Sequence, residues 1–286
     1  MKNLLKRSLT GIIYVALIVG AVLAGGWWFV GLFGLFVILA INEFSNLSNA
    51  SAGGENVTTL ITDIAGAIIL FVGLCWINIE ALTMRAVTIL GGTFFTLYLL
   101  YLIVRLVSQI YSREASPLTN LAYSYMGQMY IALPLGLMAM YYTLPDGKAM
   151  LLAMFVMIWL SDTGAFVTGS LIGKHKLFPR ISPGKTWEGF CGGMVFVVAS
   201  AFVMKYCFGE YFGAYTIGQM CGMGVVVTAF ATWGDLVESL IKRTLGVKDS
   251  GNLLPGHGGI LDRIDSLLLV IPASLLYLVS LRLYIF

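Results

Sequence analysis

Residues 149–170 read AMLLAMFVMIWLSDTGAFVTGS, and this stretch decides the fold class. Its only charged residue is Asp162. The hydrocarbon layer of a bilayer is about 30 Å thick, so a helix crosses it in roughly 20 residues. The stretch therefore predicts a transmembrane helix. An aspartate inside such a helix is costly, which makes Asp162 a functional candidate by default.

Eight further apolar stretches accompany this one along the chain. Of the 286 residues, 59% are hydrophobic and 11% are charged, and the mean hydropathy is +0.90. A soluble domain carries about a quarter charged residues, so this composition excludes an ordinary soluble protein. We therefore predict an all-α polytopic transmembrane helix bundle with about nine spans. The other stretches lie at about 10–26, 27–43, 60–79, 86–104, 125–144, 189–208, 213–234 and 264–286.

Two alternatives to this bundle are disfavoured. The strands of a membrane barrel alternate apolar and polar residues, whereas these stretches are continuously apolar. The first stretch, preceded by Lys2, Lys6 and Arg7, also has features of a secretory signal peptide. A second apolar stretch begins at once with Trp27-Trp28, which favours a retained first helix.

The distribution of basic residues sets the expected orientation. With a cytoplasmic N-terminus and nine spans, thirteen of the 17 Lys and Arg residues fall on the cytoplasmic side. The most polar loops, 171–188 and 235–263, then share that face. We expect an N-terminal region, 1–150, of about five spans that provides topology and lipid access. The catalytic region, 151–286, then carries both polar loops.

Cysteine and histidine usage excludes some classes of site. The four cysteines form no CxxC pair and lie in or beside apolar stretches, as is typical of small packing residues. Two histidines are too few for a His-rich metal site. The polar loops 45–59 and 105–124 carry no recognisable chemistry.

Aspartates near the last two stretches suggest a metal site. Asp262 and Asp265 are three residues apart, so they share a face if the last helix begins there. Asp235 and Ser239 are four apart and also share a helical face. Carboxylate oxygens suit Mg²⁺, so we predict that Asp235, Asp262 and Asp265 bind this ion and are catalytic. The alternative to a metal site is a salt bridge at the end of a helix, in which Asp262 or Asp265 pairs with Arg263 or Lys242.

A glycine-rich turn stands just before the last stretch. Glycines allow backbone N–H groups to wrap a phosphate, so His257, Gly258 and Gly259 are candidate substrate-binding residues. His257 is also a candidate hydrogen-bond donor or acid. A plain tight turn with a structural histidine remains the alternative.

A second polar segment follows the stretch that contains Asp162. Gly184-Lys185-Thr186 is similar to the end of a Walker loop, but the required first glycine is Pro179, so a Walker site is excluded. Ser182, Lys185 and Thr186 remain candidates for holding phosphate oxygens. A buried ion pair between Asp162 and Lys185 is the structural alternative.

Five motifs are distinctive in the second half of the chain. They are Ser161-Asp-Thr-Gly-Ala165, Ser182-Pro-Gly-Lys-Thr-Trp-Glu-Gly189, Ser239-Leu-Ile-Lys-Arg243, Lys248-Asp249 and His257-Gly-Gly-Ile-Leu-Asp-Arg-Ile-Asp265. Together they resemble the CDP-diacylglycerol synthases, or phosphatidate cytidylyltransferases, over roughly residues 155–270. One position departs from the pattern, because Gly184 is often Lys in that family.

The resemblance implies a membrane enzyme that uses CTP, Mg²⁺ and phosphatidic acid to make CDP-diacylglycerol and pyrophosphate. It implies metal binding by the three aspartates at 235, 262 and 265, with Lys185 catalytic. It also implies a homodimer in a bacterial inner membrane, with the active site on the cytoplasmic side and no nucleic-acid partner. A second cation is left open. From the residues and the resemblance together, the expected substrate-binding residues are Asp162, Ser182, Thr186, Ser239, Lys242, Arg243, Lys248, His257, Gly258, Gly259 and Arg263.

Three rival functions remain at this point. In an ion or lipid transporter, Asp162 and Asp235 would be coupling sites. A CTP-dependent lipid-alcohol kinase would release CDP in place of pyrophosphate. A structural scaffold is disfavoured by four aspartates within one short polar segment.

Overall fold

The computed structural model describes residues 2–52, 57–75, 84–111, 116–251 and 258–283, and most of them are helical. The long helices are α1 (Lys2–Ala24), α2 (Gly26–Ala52), α3 (Val57–Cys75), α4 (Met84–Ile110), α7 (Gly147–Ile172), α8 (Trp187–Cys207), α9 (Ile217–Thr244) and α10 (Leu261–Leu283). The short ones are α5 (Pro117–Gly127) and α6 (Leu133–Leu137). Two strands, β1 (Lys176–Phe178) and β2 (Ser182–Thr186), complete the architecture.

Seven helices in the described ranges are long and apolar enough to span a membrane. The chain is therefore an all-α multi-pass membrane protein. The sequence suggested nine spans, and two of the nine stretches do not meet this criterion. The apolar part of α1, Thr10–Ala24, is shorter than the other spans. The stretch at 125–144 is not a single helix.

Pro134 explains the break within 125–144. Proline lacks an N–H and clashes with the preceding turn, so a regular helix cannot run through it unchanged. The chain forms a π-helical turn at Gln128–Ala132 just before α6 and a 3-10 helix at Met138–Thr143 just after it. The stretch 125–144 is therefore apolar but does not form one regular membrane-spanning helix.

The described chain forms two compact units. One contains Met1–Met140 with Leu245–Arg263, and the other contains Tyr141–Thr244 with Ile264–Phe286.

A buried polar network stabilises the first unit. Arg105, expected in a loop, lies within α4 and is 1% exposed. Its Nε is 3.1 Å from Oδ1 of Asp63 in α3, and its Nη2 donates to Ser124 of α5 at 2.8 Å. Ser124 in turn donates to Asp63 at 2.5 Å. These hydrogen bonds join three helices around a charge pair that has been removed from solvent.

Small residues allow α7 and α8 to pack closely in the second unit. A Cβ on Gly193 would lie 2.8 Å from the carbonyl oxygen of Ser161, and a Cβ on Gly189 would lie 2.9 Å from that of Ala165. Side chains larger than hydrogen would force the backbones apart. This close approach is the usual way in which membrane helices associate.

The segment between α7 and α8 is a β-hairpin, where the sequence suggested a polar loop at 171–188. The strands β1 and β2 pair antiparallel, with Lys176 opposite Thr186. The carboxylate of Glu188, in the first turn of α8, accepts hydrogen bonds from the backbone N–H groups of Lys174 and His175. These hydrogen bonds join the residues that precede β1 to the first turn of α8. The second expected loop, 235–263, is also shorter than predicted, because α9 continues to Thr244.

Candidate active site

Gly234 brings two acidic segments of the second unit together. A Cβ at this position would lie 2.7 Å from the carbonyl oxygen of Asp265 and 2.9 Å from Cα of Ser266. Only hydrogen fits at that distance, so α9 and α10 make backbone contact here. Asp235 follows Gly234 directly and is thereby placed beside Asp265.

Three carboxylates form a cluster at this crossing. Asp235, Glu238 and Asp265 each offer one oxygen, and these oxygens all lie within 4.8 Å of one another. Two of the three are predicted site residues, whereas Glu238 was not predicted. Glu238 lies one helical turn after Asp235, so the spacing of three residues was a usable signal for a shared face.

Two lysines offset the negative charge of the cluster. Nζ of Lys185, on β2, lies 2.7 Å from Oδ2 of Asp235 and donates to the carbonyl oxygen of Thr232 at 3.2 Å. Nζ of Lys242 lies 2.6 Å from Oε2 of Glu238, one turn away on α9. As structural alternatives to a functional site, the sequence allowed an ion pair of Lys185 with Asp162 and one of Lys242 with Asp262 or Asp265. The close contacts are instead with Asp235 and Glu238.

A cavity of about 520 Å³ opens between α7, the hairpin, α8 and α9. Asp162, Lys185 and Asp235 provide its charged lining. Asp162 also interacts electrostatically with both of the other two residues. The cavity therefore brings the aspartate of the first motif next to the lysine of the second and to the acidic cluster. Its volume lies within the usual range for small-molecule sites.

The two hydroxyl candidates on β2 differ in their surroundings. Thr186 is buried and is the N-cap of α8, since its Oγ1 accepts a hydrogen bond from the N–H of Gly189 at 3.1 Å. That cap satisfies one of the unpaired amides of the first helical turn. Ser182 is half-buried at the start of β2. A phosphate role for these two hydroxyls stays a prediction.

Residues of the third motif lie along the last turns of α9. Ser239 donates to Oδ1 of Asp235 at 3.2 Å, which confirms that these two side chains share a helical face. Lys242 is half-buried beside Glu238, and Arg243 is exposed. Basic side chains in the last helical turn also complement the helix dipole. Phosphate binding by Ser239, Lys242 and Arg243 stays a prediction.

The remaining candidates belong to the first unit. The carboxylate of Asp262 accepts hydrogen bonds from the N–H groups of Ser250 and Gly259, at 3.0 and 2.9 Å. Gly258 has a φ of +78°, a backbone conformation that favours glycine. Lys248 and Arg263 are exposed. His257 lies outside the described residues. The metal and substrate roles of these six candidates remain predictions.

The acidic cluster suits a hard divalent cation. Mg²⁺ takes oxygen ligands at about 2.0–2.1 Å in octahedral geometry, so its ligand oxygens stand roughly 3–4 Å apart. Small side-chain rotations would bring three oxygens within 4.8 Å of one another to that spacing. An ion held by only a few carboxylates keeps positions for water and substrate phosphates.

The chain has relatives among known proteins. A profile of the cytidylyltransferase family matches residues 5–281. A phosphatidate cytidylyltransferase from Staphylococcus haemolyticus (strain JCSC1435) is 42% identical over 163 residues, and one from Staphylococcus aureus (strain COL) is 41% identical over 163 residues. Each alignment covers 57% of this chain and 61% of the relative. The matched part of the chain thus spans about three fifths of the length of these curated relatives.

Proposed function

Because this chain belongs to the cytidylyltransferase family, we propose that it joins CTP to phosphatidic acid, with CDP-diacylglycerol and pyrophosphate as products. The observation that carries the proposal is the cluster of Asp235, Glu238 and Asp265, with Lys185 beside it at the cavity. Relatives named phosphatidate cytidylyltransferase support the choice of substrates.

The proposed reaction is an in-line displacement at the α-phosphorus of CTP. An oxygen of the lipid phosphate forms a new bond to that phosphorus, and the bond to the pyrophosphate oxygen breaks. The second pKa of a phosphate monoester is about 6, so the nucleophile is largely dianionic at neutral pH and needs no general base. The barrier is the repulsion between two anions. The protein therefore contributes mainly positioning and positive charge.

The residues divide this work between them. Asp235, Glu238 and Asp265 would hold Mg²⁺, with Asp262 as the further ligand that the sequence predicts. Bound Mg²⁺ would supply the positive charge that offsets the phosphates. Lys185 would leave Asp235 to contact a phosphate oxygen as substrate enters. Lys242, Arg243, Lys248 and Arg263 would add further positive charge.

A membrane-face location follows from this proposal. The acyl chains of the lipid would stay in the bilayer while the head group reaches the cavity. We place the site on the cytoplasmic side of a bacterial inner membrane, where CTP is available, and the excess of basic residues in the polar segments supports this orientation. A homodimer, which only the family resemblance implies, stays a prediction.

Product identification tests the proposed function. Purified protein in detergent is incubated with CTP labelled at the α-phosphorus, Mg²⁺ and phosphatidic acid. We expect the label in a lipid product, with one pyrophosphate released for each lipid labelled. Release of CDP would identify a lipid kinase instead. Flux of an ion or lipid in vesicles without CTP consumption would favour a transporter.

A further inference from the structure

Glu43 of α2 is a buried carboxylate that the sequence motifs did not single out. It is 8% exposed, and it contacts residues more than 200 positions later in the chain. Oε1 accepts a hydrogen bond from the N–H of Ile260 at 2.8 Å, and Oε2 accepts one from the N–H of Leu261 at 2.9 Å. Oε2 also accepts from the hydroxyl of Ser250 at 3.0 Å. All four residues lie in the first unit.

These contacts satisfy the start of α10. The first N–H groups of a helix have no acceptor within the helix, and the N-terminal end of the helix dipole favours negative charge. Glu43 supplies both an acceptor and a charge from a different helix. Hydrogen bonds to a charged group are stronger than those between neutral groups. A buried carboxylate without such donors would be strongly unfavourable.

Two carboxylates bind both Ser250 and the residues at the start of α10. Asp262 accepts hydrogen bonds from the N–H groups of Ser250 and Gly259, while Glu43 binds the Ser250 hydroxyl and the amides of Ile260 and Leu261. Ser250 therefore bonds to both acids, one through its backbone and one through its side chain. Ser250 is therefore linked to the start of α10 through Asp262 and, independently, through Glu43.

Two glycines accommodate Glu43. A Cβ on Gly251 would lie 3.0 Å from Oε1 of Glu43, and a Cβ on Gly259 would collide with the Glu43 carboxylate and the Ser250 hydroxyl. Side chains at these positions would displace the acid from the amides that it binds. Gly251 and Gly259 therefore have a packing role against Glu43, in addition to any contact with phosphate.

We infer that Glu43 is a positioning residue that holds residues 250–251 and 258–262 in the arrangement required for turnover. The inference rests on the proposed function, which takes Asp262 as a further metal ligand, and on the sequence prediction that Gly258 and Gly259 bind phosphate. With Glu43 in place, the position of Ser250 relative to the start of α10 does not depend on Asp262 alone.

The decisive substitution is Glu43→Gln, which keeps the size of the side chain. It replaces one acceptor oxygen by an NH₂ group that faces an N–H donor. Full-length protein is assayed for CTP turnover, and amide hydrogen exchange is measured over 245–262. We expect faster exchange at 258–262 and a loss of about 10–100-fold in kcat/KM, because small misplacements cost that much. Glu43→Asp keeps both acceptor oxygens and should recover part of the loss.

Glu210→Gln is the matched control, since Glu210 is exposed on a short 3-10 helix of the second unit. It should leave both readouts unchanged. Wild-type exchange over 258–262 or wild-type kinetics in Glu43→Gln would overturn the inference. If Glu43→Gln does not fold, Ser250→Ala is the second variant, because it removes the hydrogen bond from the Ser250 hydroxyl to Glu43. Unchanged hydrogen exchange and unchanged kinetics in Ser250→Ala would also overturn the inference. An inactive wild-type protein would refute the proposed function, whereas the exchange comparison would still decide the role of Glu43.

Discussion

The ammonium nitrogen of Lys185 and a carboxylate oxygen of Asp235 are 2.7 Å apart, which links the hairpin to the acidic cluster on α9. The two side chains are 24% and 37% exposed, so the ion pair borders the cavity. Partly exposed ion pairs contribute little to stability, typically about 0–1 kcal/mol. Lys185 can therefore exchange its carboxylate partner for a substrate phosphate at small cost.

Lys185→Met should lower kcat/KM for CTP by about 10²–10³-fold, because removal of one preorganised donor to a developing charge costs that much. The thermal stability of the variant should change little, since the ion pair between Lys185 and Asp235 is partly exposed. Steady-state kinetics and a melting curve check both statements. Lys185→Arg keeps the charge and should retain more activity than Lys185→Met. Equal kinetics for Lys185→Met and the wild type would exclude the assigned role.

Asp265→Asn and Asp235→Asn should each abolish turnover in protein that is still inserted in the membrane. Each variant removes a negative oxygen from the cluster proposed to hold Mg²⁺. Asp262→Asn should cause the same loss if Asp262 is the further ligand that the sequence predicts. CDP-diacylglycerol formation by the purified variants is the measurement.

Asp146→Asn is the control for this series, because Asp146 precedes α7 outside the cluster with a φ of 51°, which asparagine tolerates. It should turn over CTP like the wild type. Near-normal product formation by both Asp235→Asn and Asp265→Asn would remove the metal-site proposal.

Gly234→Ala should reduce activity without removing any polar group. The added methyl would meet the backbone of Asp265 and Ser266, so α9 and α10 must separate and the carboxylates move with them. We expect a loss of about 10²-fold in kcat, as small displacements at a reacting centre can cause. Gly218→Ala on the same helix is the control, because its Cβ would be 3.9 Å from the nearest atom. A fully active Gly234→Ala enzyme would show that the close crossing is not required.

The helical fold and part of the site could be predicted from the sequence. Long apolar stretches predict membrane helices directly, because the thickness of the bilayer sets the number of apolar residues that a spanning helix needs. The spacing of four residues correctly placed Ser239 beside Asp235. The third carboxylate, Glu238, was missed because a glutamate four residues before Lys242 has the pattern of an ordinary helical ion pair.

Other features depend on contacts between distant parts of the chain. Glu43 lies in an apolar helix that resembles no motif, and its partners begin more than 200 residues later. The hairpin was missed because β1 and β2 have three and five residues, too few to show alternation. Pro134 was a signal in the sequence that a regular helix is interrupted. A span was nevertheless predicted at 125–144, because the stretch is apolar throughout.

Asp63→Asn should destabilise the protein strongly. Arg105 would then be a buried cation without its carboxylate partner, which costs on the order of 3–5 kcal/mol. A lower melting temperature in detergent is the expected result. Exchanging both Asp63 and Arg105 for apolar residues should cost less than the sum of the single changes. Arg85→Gln, at an exposed site on α4, is the control and should melt like the wild type. A wild-type melting temperature for Asp63→Asn would show that the network does not stabilise the first unit.

The dependence of CTP turnover on Mg²⁺, measured in the wild type and in Asp265→Asn after removal of metal with a chelator, tests the central claim most directly. We predict no turnover by the chelated wild type, saturable recovery as Mg²⁺ is added back, and no recovery in Asp265→Asn. Full turnover by the chelated wild type, or equal recovery in both proteins, would contradict the claim that this carboxylate cluster holds the ion.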